Sequence, residues 1–114
     1  MGAVKVWNLN PPWSLSSGAY QMTREEIQNI IVDFLKNYNA KRIGLFGSFA
    51  RKEDTPKSDI DVMVEFEGGI TYFKLASIEE ELAERLGRKV ELVTDVDLNP
   101  EFMRAISKDL HVIY

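Results

Sequence analysis

Two short stretches of this chain carry residue types from which a chemical site can be built. They are Gly47-Ser48-Phe49-Ala50-Arg51 and, after an interval of six residues, Ser58-Asp59-Ile60-Asp61. Aspartate is depleted in β-strands, yet Asp59 and Asp61 stand at i and i+2 of an alternating segment, where side chains share a face. Carboxylates held that close repel, and each raises the other's pKa unless a cation sits between them. Hard Mg2+ relieves the repulsion, and it takes one or two protein carboxylates together with phosphate oxygens and water. Alone, Asp-x-Asp equally describes an exposed polar face screened by water. Gly47-Ser48 follows an apolar run. Glycine there allows backbone to approach a ligand, amides at the following helix start point toward an anion, and the serine hydroxyl adds a donor. Alone, the dipeptide reads as a turn with a helix cap. Together they place an anion cradle at the end of one strand and paired carboxylates on the next, the combination a metal–nucleoside triphosphate needs.

Glu91 is the candidate third carboxylate, flanked by Val90, Leu92 and Val93 in a strand expected beside 58–66. On the Asp59/Asp61 face it could ligate metal on the nucleophile side and help deprotonate an attacking hydroxyl. Otherwise it is a surface glutamate on an alternating strand. Arg51 has two readings, a phosphate contact or an ion pair with a neighbouring acid. Lys52, Lys57 and Lys74 read as solvated surface, and His111 as half-buried strand or surface rather than a general base. Tyr72 and Phe73 fit a packed helix start better than a base-stacking platform.

The elements that must position these residues are legible from spacing. Thr23-Arg24-Glu25-Glu26 is a capping box. Ile27, Ile30, Ile31, Phe34, Leu35 and Tyr38 recur at helical period, predicting an amphipathic helix over 23–38. Residues 41–46 predict a short buried strand, with a helical turn from Gly47-Ser48 through Arg51. Over 58–66, Ile60, Val62, Val64 and Phe66 alternate with Asp59, Asp61, Met63 and Glu65. Gly68-Gly69 marks a turn into a second helix over 71–86, with Tyr72, Leu75, Ala76, Ile78, Leu82, Ala83 and Leu86 inward and Gly87 as its C′ residue. A strand over 89–94, a short helix over 99–107 with Pro100 in its first turn and an edge strand over 110–114 complete the pattern. Alternating helices and strands predict an α/β or α+β sheet with helices packed against it.

Composition excludes several alternatives. The 114 residues suit one ordinary domain, and 45% hydrophobic with 28% charged residues argues against wholesale disorder. Without cysteine there is no disulfide, thiolate nucleophile or cysteine zinc site, and a single histidine rules out multi-histidine metal centres. Fourteen basic against eighteen acidic residues give net −4, unfavourable for non-specific nucleic-acid binding. No apolar run is long enough for a membrane span. Asn8, Asn10, Pro11 and Pro12 interrupt any secretory h-region, so a cytoplasmic location is expected. Residues 1–21, with Trp7, Trp13 and a loose Ser-Gly run, read as a partly ordered extension or a docking arm, and 22–114 as the domain proper.

The pattern Gly47-Ser48-x-Ala50-Arg51-x6-Ser58-Asp59-Ile60-Asp61-x-x-Val64, with Val90-Glu91-Leu92-Val93 further on, resembles the signature of minimal nucleotidyltransferases of the DNA polymerase β superfamily. The resemblance covers about residues 23–114. It implies a nucleotidyltransferase fold, a small mixed β-sheet with helices packed against it. It also implies that Gly47 and Ser48 hold the triphosphate of ATP, that Asp59 and Asp61 bind two Mg2+ ions, and that the third acidic ligand falls on Glu91. Small members of this kind are antitoxins that adenylylate a tyrosine of a HEPN-domain toxin, and the resemblance implies the same here. Two positions depart from the family pattern. Lys52 stands where glycine is usual, so the loop is expected to sit differently. Glu91 replaces aspartate, lengthening the reach by about one carbon–carbon bond. A chain this short leaves the acceptor pocket to another protein or to a second copy. The competing readings are a non-catalytic antitoxin or scaffold that binds its partner, and a dimeric adenylyltransferase of small molecules such as aminoglycosides.

Overall fold

The computed structural model of the chain describes residues 22–94 and 99–114, so the predicted extension 1–21 with Trp7 and Trp13 lies outside the described residues. Helix α1 (Arg24–Lys36) starts at the predicted capping box: Thr23 Oγ1 accepts from the Glu26 amide (3.0 Å) and Glu26 Oε1 from the Thr23 amide (2.8 Å). Strand β1 (Ala40–Phe46) runs directly into a one-turn helix, α2 (Gly47–Ala50). Strand β2 (Ile60–Phe66) follows a loop, then α3 (Tyr72–Leu86), β3 (Val90–Thr94), α4 (Pro100–Ser107) and the two-residue β4 (His111–Val112).

Among the described residues the strands form one sheet in the order β3-β2-β1-β4, with β2 and β3 parallel and the other pairs antiparallel. Helix α3 makes the crossover that a parallel pair requires. The expected α+β class, with a small mixed sheet and helices against it, is the observed one.

One face of the sheet carries the main core. Ile43, Leu45, Ile60, Val62, Val64 and Leu92 pack there against Ile31 and Leu35 of α1 and Ile78 and Leu82 of α3. Each such buried side chain contributes about 2 kcal/mol relative to exposure. Strict alternation assigns Met63 to the polar face, yet it is buried. It joins Phe46 and Ile106 in a second cluster where α4 covers part of the opposite face. The predicted inward positions of Tyr72 and Ala76 are also corrected. Ala76 is exposed, and Tyr72 and Phe73 stand 79% and 86% exposed, stacked edge-on to one another. They occupy the first turn of α3, where only the later residues Leu75, Ile78, Leu82 and Leu86 are buried. On the outer edge of the sheet, Glu79 of α3 accepts a hydrogen bond from the Leu92 amide at 2.7 Å.

Candidate active site

The two informative stretches meet at one end of the sheet. Antiparallel pairing sets Phe46 opposite Asp61, and parallel pairing sets Asp61 opposite Glu91. Gly47 therefore emerges from β1 beside the Asp61 side chain. Its φ of +74° is left-handed, and a β-carbon there would lie 3.2 Å from Asp61 Cγ and closer still to Oδ2. Only glycine fits both the backbone and the space. Ser48 follows in the first turn of α2, where backbone N–H groups have no intrahelical partner.

Asp61 and Glu91 lie side by side. Burial, then repulsion by Glu91, a hydrogen bond with Glu91 and repulsion by Asp59, push the Asp61 carboxyl up from 3.8 to about 6, with Arg51 opposing. Asp59 stands just ahead of β2 rather than within it, because pairing begins where the Ile60 amide donates to the Lys89 carbonyl (2.9 Å). It is half-exposed, with Lys89 Nζ 3.9 Å from its Oδ2. Glu91 and Asp59 are near enough to act on Asp61, yet among the described residues the three carboxylates do not close into a preformed metal cage. Uncompensated like charges resist closer approach. An acid cluster with a raised pKa beside a glycine turn fits divalent-cation binding, since carboxylate oxygens are the donors Mg2+ prefers.

Arg51 is engaged by acids on both sides, from Nε to Glu53 (3.0 Å) and from Nη1 to Asp109 (2.9 Å), and these bonds raise its pKa. Lys52 adopts φ +62°, the left-handed conformation for which glycine is suited, and so meets the geometry at a steric cost. His111 is exposed on β4.

Spacing gives no hint of three further residues. Asp54 receives Arg24 on one carboxylate oxygen and Arg88 on the other, each at 3.0 Å. Burial pushes the Asp54 pKa up, but the bonds from Arg88 and Arg24 outweigh it and hold the carboxyl below its usual value. Arg88 also donates to the carbonyls of Thr55 and Ser58, and Arg24 to that of Phe49. A signal for Arg88 exists in its position, a charge between the helix-ending Gly87 and an apolar strand. A cleft of about 410 Å3 lies beside this cluster, lined by Met22, Ile27, Phe49 and both arginines, and none of Asp59, Asp61 and Glu91 lines it.

Residues 28–114 match the polymerase β nucleotidyltransferase domain. The chain belongs to this family. It is 41% identical over 93 residues to a Methanocaldococcus jannaschii chain provisionally named a protein adenylyltransferase, covering 77% of this chain and 95% of that one. It is 30% identical to protein adenylyltransferase MntA of Thermococcus cleftensis, covering 78% and 94%. A solved complex of a tri-AMPylated HEPN toxin with its MNT antitoxin, from Shewanella oneidensis, contains a chain that superposes with a TM-score of 0.68. At 19% identity over 81% of this nucleotidyltransferase and 72% of that chain, the likeness is one of fold. Among the described residues no helix is long and apolar enough to cross a membrane.

Proposed function

We propose that this nucleotidyltransferase is a Mg2+-dependent protein adenylyltransferase of the cytoplasm. It transfers AMP from ATP to a tyrosine hydroxyl of a HEPN-domain toxin and so acts as the antitoxin. The observation that carries the reading is the Asp61 carboxyl, packed against the Gly47 turn and set opposite Glu91, with a pKa raised to about 6. Relatives named as protein adenylyltransferases, and a HEPN–MNT complex of the same fold, support the choice of acceptor.

In this reading Gly47 and Ser48 cradle the triphosphate through backbone amides and the serine hydroxyl. Asp59, Asp61 and Glu91 hold the metal ions. Two Mg2+ ions held there would supply positive charge to offset the charge that develops in an in-line displacement. The tyrosine oxygen forms a bond to the α-phosphorus, the bond to the bridging oxygen of the β-phosphate breaks, and pyrophosphate leaves. Glu91 takes the phenolic proton as that bond forms. Arg51 balances charge at the site's rim, and the acceptor pocket is completed by the partner, forming a hetero-oligomer.

The test is incubation with α-labelled ATP, Mg2+ and a candidate HEPN-domain partner, the product of the neighbouring gene being the first to try. Label should appear on the partner and vanish with Asp59→Asn combined with Asp61→Asn. Toxin neutralisation that survives this double change, with no label at any stage, would instead establish a non-catalytic binder.

A further inference from the structure

We propose that Arg24 and Arg88, joined through Asp54, are positioning residues that hold the two halves of the site in register. The inference rests on the nucleotidyl-transfer reading and deepens it. The bonding pattern is divided. Arg88 reaches the Ser58 carbonyl from Nη2 at 3.0 Å and from Nε at 3.3 Å, and Ser58 directly precedes Asp59. Arg24 reaches the carbonyl of Phe49, which directly follows Ser48. One arginine thus grips the turn that carries Asp59 and leads into β2 with Asp61, and the other grips the turn that faces phosphate. Asp54 gives one carboxylate oxygen to each. Both guanidiniums also lie over the Phe49 ring, 3.9 and 5.5 Å from its centroid.

Burial supports the assignment. The Arg88 and Asp54 side chains are 13% and 11% exposed, and buried ion pairs contribute little net stability compared with apolar packing of similar volume. What this trio adds is geometry. The segment between α2 and β2 has no regular secondary structure, and Arg88 fastens it at Asp54, Thr55 and Ser58. Neither arginine is bonded to Asp59, Asp61, Glu91 or Ser48, so each acts through backbone.

The test separates the two grips. Arg88→Met and Arg24→Met are made in the full chain. Mn2+ affinity is read by electron paramagnetic resonance at saturating non-hydrolysable ATP, nucleotide affinity by calorimetry at saturating Mn2+, and stability by thermal melting. Arg88→Met should weaken Mn2+ binding by about tenfold or more, as loss of a ligand-orienting partner does, with nucleotide affinity changed far less. Arg24→Met should do the reverse. Arg88→Lys keeps the charge but cannot fork to the two carbonyls and Asp54 together, so it should restore stability more than Mn2+ affinity. This variant carries the test if Arg88→Met does not fold. Melting temperatures that fall while both affinities stay at wild-type values would overturn the proposal, as would equal effects of both arginines on both constants. Wild-type protein that takes up no Mn2+-nucleotide would overturn the adenylyltransferase reading itself. Wild-type uptake left untouched by all three variants overturns only the brace.

Discussion

Replacing Gly47 by alanine separates what the glycine does for the backbone from what it does for Asp61. At φ +74° a β-carbon costs about 1–2 kcal/mol in the folded chain. In a domain of this size each kcal/mol lowers the melting temperature by about 4–8 °C. The same β-carbon also meets the Asp61 carboxylate, which must rotate away from the turn. A misplacement of about 1 Å at reacting groups costs about 100-fold in rate. Gly87→Ala is the control. Gly87 has φ +67°, and an alanine methyl there would find nothing within 4 Å, so the backbone cost recurs without the collision. Melting by circular dichroism should show similar destabilisation of both variants. Transfer of label from α-labelled ATP to the HEPN partner, at a temperature where both are folded, should fall about 100-fold for Gly47→Ala and stay near wild type for Gly87→Ala. Equal activity in the two variants would refute the argument that Gly47 is there to admit Asp61.

Asp61 makes the metal-free protein pH-sensitive. Its folded pKa, about 6, lies above the ordinary 3.8, so its contribution favours folding fully below pH 3.8 and is withdrawn as pH rises through 6. In chelator, Asp61→Asn should gain stability over wild type as pH goes from 4 to 7. The shift nominally corresponds to about 3 kcal/mol, and solvent screening of this half-exposed group reduces it to about 1 kcal/mol. Parallel urea-unfolding profiles for the two proteins across that range would contradict the assignment. Lys52→Gly relieves a left-handed lysine and should stabilise by about 0.5–1 kcal/mol in denaturant titrations, and a loss of stability would show that Lys52 holds the loop in some other way. Arg51→Gln should raise the KM for ATP several-fold with little change in melting temperature. An unchanged KM would confine Arg51 to its bonds with Glu53 and Asp109. Glu91→Asp should retain label transfer and Glu91→Gln lose most of it, and equal rates would remove Glu91 from the chemistry.

Local signals in the sequence translate directly into structure. The Thr23–Glu26 box, the left-handed Gly87 and Pro100 each mark a helix end by chemistry confined to a few residues, and each end lies where that chemistry puts it. The neighbouring of β2 and β3, and with it the pairing of Asp61 and Glu91, follows from one helix crossing between two apolar strands. Periodicity fails where it has to stand in for coverage. It gives the direction of a side chain but not whether anything lies opposite, so it points Tyr72 inward and Met63 outward. The Arg24–Asp54–Arg88 cluster is invisible to it for a different reason. Its members are 30 and 34 residues apart, and no short-range pattern reports a charge whose partner arrives from another element.

The bond from Leu92 to Glu79 bears on what this protein can join. Its outermost strand on that flank has its middle amide already occupied by a side chain of its own helix. A visiting extended segment would find one rung of its ladder taken and a negative charge in the way. Fibril-like stacking through that flank is thereby discouraged, and a partner that recruits the sheet by backbone pairing finds less obstruction on the side of β4.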